Sequence, residues 1–382
     1  MILLGRFRLI ILLVIFCANS FARGMDIDST IDKGIKQIYS IQFDDAEKTF
    51  RGLIADHPEN PAGRFFLAMI DWWRILIDLD NESNDDIFFQ KLEDVIYQCD
   101  EILDNNPNDV NALFFKGGSI GFRGRLRAVR ESWLKSADDG REALPIVQRA
   151  SKLDPANKDV QLGFGIYNYY ASVIPDKYPV IKPLMIFFPS GDKSQGLLQL
   201  KETAIQGKFA KYEAQYFLMT LYYQFEDNPY EAELWAKLLN EQFPNNPTFE
   251  RWRGRIAVRR GDSFESYRIF SNVHDKVNLK LTGYNKKAER EAMYYMGLHL
   301  KGTQTPDSAI IYFEKCEELC GLLEGKTETG FLINTVLYLG MMYDAAGQRG
   351  KAVDYYNRVM NMREYGASRA FASEYLNRPF KF

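Results

Sequence analysis

LYLGMMYDAAGQRGKAVDYYNRV, at Leu337–Val359, is the stretch that decides the fold. Two small residues, Gly340 and Ala352, would allow a pair of helices to approach each other closely. The ring of Tyr356 is large enough to fill the space beside them, and Gly347 suits a tight turn between the helices. The stretch therefore predicts a helical hairpin, which needs stacked neighbours to bury its apolar face.

The same spacing of small and aromatic residues returns along the chain at a period of about 34 residues. The copies lie, in chain order, at Gly34, Ala46, Phe50 and Pro58; at the degenerate Pro61–Pro107; in longer units beginning at Gly117 and Gly165; at Tyr223, Ala232 and Pro244; at Gly254, Ser266 and Phe270; and at Gly297, Ala309 and Phe313. We therefore expect eight hairpins between about Asp28 and Met362.

The order L-G-x-x-Y…A-x-x-x-F resembles the signature of the tetratricopeptide repeat (TPR) family. In the clearest copy it is carried by Leu339, Gly340, Tyr343, Ala352 and Tyr356. The resemblance implies an all-α fold, an α-α superhelix or TPR solenoid of about eight helical hairpins. It also implies that the first helix of each hairpin lines a concave groove. No alternating strand pattern bounded by Asn-Gly or Asp-Gly turns competes with this interpretation.

Met1–Ala22 is predicted to be a cleaved secretory signal peptide. Arg6 and Arg8 supply positive charge, Leu9–Ala18 is an unbroken apolar run, and Ser20-Phe21-Ala22 offers small residues to a peptidase. An uncleaved membrane anchor is the alternative, although a helix needs about 20 apolar residues to cross a bilayer. Export places the mature chain in the periplasm or the cell envelope.

The remaining domain organisation follows from the repeats. The TPR-like solenoid is expected at residues 26–365, with insertions near 122–137 and 173–191. The C-terminal tail, 366–382, either caps the last hairpin or hangs free. A monomer is expected, because a solenoid is stabilised by capped ends and does not need a partner subunit. Cys99, Cys316 and Cys320 are expected to be buried free thiols, with a strained Cys316–Cys320 bridge as the alternative.

Composition and missing motifs exclude several classes of function. Hydrophobic residues make up 46% of the chain and charged residues 26%, which excludes a disordered protein. Lys and Arg number 48 against 51 Asp and Glu, so the chain lacks the basic excess of a general nucleic-acid binder. No H-E-x-x-H, G-x-S-x-G, phosphate-binding loop or C-x-x-C motif is present. We therefore expect no enzyme, no cofactor and no metal site.

A second resemblance lies in the middle of the chain. Leu162–Pro175, Pro189–Gly207 and Tyr212–Leu218 resemble a group of bacterial envelope repeat proteins and, distantly, the tetratricopeptide-39 and Iml2 proteins. Gly191-Asp192 is followed by Lys193 where that group would have arginine. The resemblance implies a non-enzymatic scaffold and supplies no partner.

Three arginines are the main candidates for ligand binding. Arg251, Arg255 and Arg259 recur every four residues on a first helix, so they share one helix face. Guanidinium groups bind carboxylates in bidentate fashion, and the row could therefore hold a peptide's acidic side chains. The alternative is a solvated face whose charges are answered by acidic neighbours.

Five further residues fall at positions that face the groove in this family. Aromatic and amide side chains there would suit contacts to an extended peptide, although core packing explains the aromatic ones equally well. They are Phe114, Tyr169, Tyr170, Gln224 and Asn334.

Three other clusters bear on membrane, nucleic-acid and metal binding. Leu184–Phe188 in the proline-rich insertion either packs on the solenoid or presents an apolar surface to a partner or membrane. For the basic cluster Arg123, Arg125, Arg127 and Arg130, no nucleic-acid partner is expected, because nucleic-acid affinity draws on many basic contacts and the chain has a net negative charge; phosphate or nucleic-acid contact is the alternative. The acidic turn Asp78, Asp80, Glu82, Asn84, Asp85 and Asp86 lacks the glycine and final glutamate of an EF-hand, so a solvated turn is expected.

These observations predict an exported, non-enzymatic scaffold that binds a protein or extended peptide in its concave groove. The alternative is a membrane- or lipid-associated protein that acts through the apolar insertion at 173–191.

Overall fold

The computed structural model describes residues 27–177, 182 and 189–382. The predicted signal peptide and the apolar run Leu184–Phe188 lie outside the described residues. The chain divides into two compact units, Met1–Leu218 (unit 1) and Met219–Phe382 (unit 2).

Every regular element in the described residues is a helix, and none is a strand. The helices are α1 (27–39), α2 (Phe43–Asp56), α3 (Ala62–Ile77), α4 (Asp85–Asn105), α5 (Val110–Val129), α6 (Trp133–Leu153), α7 (Gln161–Lys177), α8 (Lys193–Gln206), α9 (Lys211–Gln224), α10 (Pro229–Gln242), α11 (Pro247–Arg259), α12 (Ser263–Asn278), α13 (Lys286–Gly302), α14 (Pro306–Glu324), α15 (Gly330–Ala345), α16 (Arg349–Asn361) and α17 (Ser368–Asn377). Helices α1 to α16 pair in chain order into eight hairpins, and the boundary between the units falls within α9. The predicted all-α architecture of about eight helical hairpins is confirmed.

Close contact between a glycine and an aromatic ring explains the repeated spacing. A Cβ atom added to Gly254 would lie 2.5 Å from the ring of Phe270, and one added to Gly340 would lie 2.6 Å from the ring of Tyr356. Phe270 and Tyr356 are fully buried. The ring of the second helix therefore occupies the volume that a larger residue on the first helix would need.

The turns inside six hairpins contain a residue in the left-handed region of backbone space. Glycine occupies this position in two turns, where it carries no Cβ penalty. The other four turns hold residues that are strained there. The six residues, with φ between 49° and 78°, are Ile41, Glu131, Asp227, Gly261, Gln304 and Gly347.

We expect Gln304→Gly to raise the free energy of unfolding by about 0.5 to 1 kcal/mol, because glycine relieves the left-handed strain. Gln304 is exposed and has a φ of 59°, so little packing is lost. Urea denaturation followed by circular dichroism measures the change. The reverse substitution, Gly347→Ala at a φ of 75°, should lower stability by about 1 kcal/mol. If both variants shift stability in the same direction, turn strain is not the cause.

The segment behind the second resemblance holds two helices close together. A Cβ on Gly196 of α8 would lie 2.6 Å from the backbone nitrogen of Tyr169 in α7. A Cβ on Gly191 would lie 2.3 Å from the carbonyl oxygen of Asn168. Asp192 caps α8 by accepting a hydrogen bond from the Gln195 amide at 2.9 Å. These residues therefore have packing and capping roles.

Two stretches expected to interrupt the repeats are partly helical. Residues 122–129 continue α5 to its end, and α6 begins at Trp133, so the extra length near 122–137 lies mainly in long helices. Helix α7 runs through Pro175 to Lys177. The insertion near 173–191 therefore begins within the last turns of α7.

The C-terminal residues pack on the last hairpin. Arg349 donates hydrogen bonds to the carbonyl oxygens of Tyr375 (2.8 Å) and Leu376 (2.6 Å) at the end of α17. The buried carboxylate of Asp344 accepts a hydrogen bond from the Phe380 amide at 2.9 Å. The C-terminal tail therefore packs against the last hairpin and does not hang free. The three described cysteines, Cys99, Cys316 and Cys320, are buried free thiols.

Candidate partner-binding site

Helix α11 positions the three predicted arginines. The side chain of Asn246 caps its first turn by accepting a hydrogen bond from the Thr248 amide at 3.0 Å, and Pro247 occupies the first helical position. The helix continues to Arg259, so residues four apart along it share one face. Arg251 and Arg255 meet the same carboxylate, and Arg259 meets another.

Glu291 of α13 is the shared carboxylate. Its Oε2 accepts hydrogen bonds from Arg251 Nε at 2.6 Å and from Arg255 Nη2 at 2.9 Å, and Arg255 Nε donates to its Oε1. The residue is 1% exposed. Burial by itself raises the pKa of Glu291, but the attraction of the two guanidinium groups outweighs it and lowers the pKa to about 2. Glu291 is therefore ionised at neutral pH and joins hairpins six and seven.

Arg259, at the end of α11, is more exposed to solvent than Arg251 and Arg255. Its Nη2 lies 2.7 Å from Oδ1 of Asp227, and its Nη1 donates to the carbonyl oxygen of Tyr223. Its guanidinium also lies 4.7 Å from the centroid of the Tyr223 ring. The Asp227 side chain is 82% exposed and the Arg259 side chain 36%. Solvent screens this ion pair, so its contribution to stability is small.

The site carries an excess of positive charge. Three guanidinium groups face two carboxylates, those of Glu291 and Asp227. Lys301 lies further along α13, 5.2 Å from the ring centroid of Tyr338. No ion pair of Lys301 is found among the described residues, and burial lowers its pKa. The predicted alternative of an arginine face answered by acidic neighbours thus applies in part, since Arg251 and Arg255 share one carboxylate.

Two other predicted residues belong to unit 2. Asn334 of α15 donates from Nδ2 to Oη of Tyr294 in α13 at 3.3 Å. It stands six residues before Gly340, and Glu291 stands six residues before Gly297, so the two have the same position in their repeats. Gln224 is exposed at the end of α9, immediately after Tyr223.

The other predicted residues lie in unit 1, where their side chains pack against neighbouring residues. Tyr169 is 0% exposed, and burial raises the pKa of Tyr170 to about 12. Their ring centroids lie 5.6 Å apart. Phe114 packs against the buried residues Leu113 and Ala150 and against Phe115.

The first helices of unit 1 fill the space between one another. The ring centroid of Phe209 lies 6.2 Å from that of Phe66 and 6.3 Å from that of Phe115. Glu213 of α9 accepts hydrogen bonds from Tyr39 Oη at 3.0 Å and from Arg125. The side chains of these helices therefore meet each other across unit 1, whereas on α11 of unit 2 Arg259 is exposed and Arg251 and Arg255 are partly buried.

The basic cluster near the end of α5 is paired with carboxylates. Arg123 contacts Asp139, Glu93 and Glu142; Arg127 contacts Asp139; Arg125 contacts Glu213; and Arg130 contacts Asp85. Each of these arginines has a structural partner, which argues against the nucleic-acid alternative. Within the described ranges, no group of three or more His, Cys, Asp or Glu side chains is arranged to hold a metal ion. No helix of these ranges is both long and apolar enough to cross a membrane.

Glu291 and Asp227 are the residues of this site that sequence reasoning missed. Aligning the repeats on Gly254, Gly297 and Gly340 places Glu291 and Asn334 in one register, which is the signal that could have identified Glu291. Asp227 carries no comparable signal, because single charged residues are common on protein surfaces.

Comparisons with known proteins find distant structural likenesses. No protein-family model matches the chain, and no curated protein matches it. The crystal structure of PilW, a type IV pilus biogenesis factor, is 13% identical with a TM-score of 0.41, covering 66% of this chain and 96% of that one. The pilF protein of Pseudomonas aeruginosa is 10% identical with a TM-score of 0.42, covering 68% and 97%. The Cut9–Hcn1 hetero-tetramer of the APC/C is 15% identical with a TM-score of 0.44, covering 87% and 58%. A likeness at this level does not carry a function from one chain to another.

Proposed function

We propose that the chain is a non-catalytic scaffold that binds a protein or an extended peptide on the first-helix face of unit 2. The supporting observation is the excess positive charge of Arg251, Arg255 and Arg259 over Glu291 and Asp227. Carboxylates of a partner would complete the hydrogen bonding of the guanidinium groups. Gln224 and Asn334 flank this face and would contact the backbone of the same partner.

The three arginines differ in how much the stability of the fold depends on them. Arg251 and Arg255 neutralise a buried carboxylate, so replacing either one destabilises the hairpin stack. Arg259 has an exposed counter-ion and can be changed without leaving a buried charge. A test of partner binding therefore depends on Arg259.

A photo-crosslinking residue at Val258 is the experiment that tests the proposal. Val258 lies beside Arg259 on α11 and is partly exposed, and it takes part in none of the ion pairs. We expect it to capture one dominant protein in living cells, identified by mass spectrometry. The matched control is the same residue at Phe264 on α12, which is exposed on a second helix. Equal capture at both positions, or none at Val258, would contradict the proposal.

We expect Arg259→Glu to weaken capture of the same partner at least tenfold, because it replaces the exposed cation of the site with an anion. Arg268→Glu on α12 is the matched control, since Arg268 is also exposed and pairs with a single carboxylate, that of Glu265. Both variants change the net charge equally, and both should keep the wild-type melting temperature within about 2 °C. Equal weakening by both would indicate a general charge effect.

We further propose that this scaffold is an exported monomer of the periplasm or cell envelope. The sequence of Met1–Ala22 supports export. Sequencing the N-terminus of the cell-derived protein tests it, with Arg23 expected as the first residue, and light scattering measures its mass. A retained N-terminus would favour the membrane-anchor alternative. The alternative proposal is that the protein associates with a membrane through the insertion at 173–191.

A further inference from the structure

An exposed apolar surface lies in unit 1. Two neighbouring turns form it, one between α3 and α4 and one between α5 and α6. Five large apolar side chains are exposed there, with Leu134 at 67% and Trp133 at 51%. We call this surface the turn patch, and its members are Leu79, Ile87, Val129, Trp133 and Leu134.

Arg130 holds the two turns side by side. Its Nε lies 2.6 Å from Oδ2 of Asp85 and its Nη2 lies 3.0 Å from Oδ1, which is a bidentate pair. Its Nη1 donates to the carbonyl oxygen of Leu79. Glu131, at a φ of 58°, turns the chain directly into α6. The turn patch is therefore assembled before any partner arrives, which reduces the ordering entropy lost on binding.

The rim of the turn patch is acidic. Among the residues of the two turns, Glu82, Asp86 and Glu131 are exposed carboxylates, and Lys135 is an exposed cation. Asp85 is the partner of Arg130, and the Glu82 side chain is 73% exposed. An apolar centre with a negative rim selects a partner whose apolar side chains are flanked by cations.

We propose that the turn patch docks a cationic amphipathic helix of a partner protein. Such a helix places apolar residues on one face and lysine or arginine on the flanks, so it satisfies both parts of the surface at once. Trp133 is the natural anchor, since tryptophan is enriched among the residues that dominate binding energy.

Charge argues against the two other occupants. A second copy of the chain, paired by a two-fold axis, would place one acidic rim against another. An anionic membrane surface would likewise repel the carboxylates. A basic segment meets neither obstacle.

The test uses two designed 14-residue peptides with the same leucine face. One has lysine on its polar face and the other has glutamate. Of the five tryptophans, Trp133 is the exposed one, Trp72 and Trp73 are buried, and Trp235 and Trp252 are half-buried, so the difference in emission between wild type and Trp133→Phe reports contact at Trp133. We expect the lysine peptide to shift this emission to shorter wavelength in a saturable titration and the glutamate peptide to have no effect. The Trp133→Phe variant should lose the shift.

Two further variants separate apolar docking from general attraction to an acidic protein. Leu134→Ser should weaken binding of the lysine peptide about tenfold, as measured by fluorescence anisotropy of a labelled peptide. Leu234→Ser on α10 is the matched control, since Leu234 is 63% exposed and the substitution is the same. Its affinity should equal that of the wild type.

Several outcomes would overturn the proposal. These are equal binding of the two peptides, no binding of the lysine peptide, or equal loss in the Leu134→Ser and Leu234→Ser variants. Phosphatidylcholine vesicles, with and without phosphatidylglycerol, form the last arm. Vesicle binding that Leu134→Ser abolishes would assign the turn patch to a membrane instead.

Discussion

Glu291→Gln is expected to lower the free energy of unfolding by about 3 kcal/mol at pH 7. The substitution removes the charge that Arg251 and Arg255 share while keeping the size of the side chain. Two partly buried guanidinium groups would then lack a counter-ion. Denaturation in urea at fixed pH measures the loss.

The same ion pair predicts a specific pH dependence. Because the folded-state pKa of Glu291 is lowered to about 2, its stabilising contribution is complete above the unfolded-state pKa, near 4.5. The contribution is lost as pH falls from about 4.5 toward 2. The stability difference between wild type and Glu291→Gln should therefore shrink steadily from pH 5 to pH 2.5. A difference that stays constant over that range would contradict the assignment.

Glu318→Gln is the control for this prediction. Glu318 pairs with Lys315 on the surface of α14, and its side chain is 64% exposed. Solvent screening leaves such a pair a contribution of about 0.5 kcal/mol or less. A loss at Glu318 as large as that at Glu291 would show that removing any carboxylate is sufficient.

Gly254→Ala is expected to destabilise the protein by about 1 to 3 kcal/mol, because its new methyl group would overlap the ring of Phe270. The distance from that Cβ to the ring would be 2.5 Å, and Phe270 is fully buried in a packed core. Neither the helix nor the ring can move far without disturbing its neighbours. Thermal denaturation of the single variant measures the effect.

A double variant tests the cause. Phe270→Leu removes part of the ring that the new methyl group meets, so Gly254→Ala should cost less in that background than in the wild type. Gly52→Ala is the matched control, since Gly52 lies in helix α2 with no atom within 4 Å of its added Cβ. It should stabilise the protein by up to about 1 kcal/mol. Additive effects of Gly254→Ala and Phe270→Leu would show that the strain arises elsewhere.

The hairpins could be predicted in detail from the sequence. Gly340 and Tyr356 lie on adjacent helices joined by one short turn, so their contact depends on local spacing alone. The spacing recurs between Gly254 and Phe270 and between Gly297 and Phe313, and the structure repeats the contact each time. Local helical geometry makes such contacts predictable.

The candidate site was predictable only in part. The four-residue spacing of Arg251, Arg255 and Arg259 was sufficient to place them on one helix face. Their partners were not predictable, since Glu291 lies 36 residues beyond Arg255 and Asp227 lies 32 residues before Arg259. Each pairing depends on how neighbouring hairpins stack.

The sequence by itself therefore determined the helical period, the hairpin repeat and the row of arginines, because each follows from spacing along one or two helices. The tertiary structure alone decided which charged groups are buried, which are exposed and which are paired. It buried Glu291 between two arginines, left Asp227 in solvent, and paired Arg130 with Asp85 beside the turn patch. The physical reason is that an ion pair is set by the register between helices that are distant in sequence, and a local pattern does not specify that register.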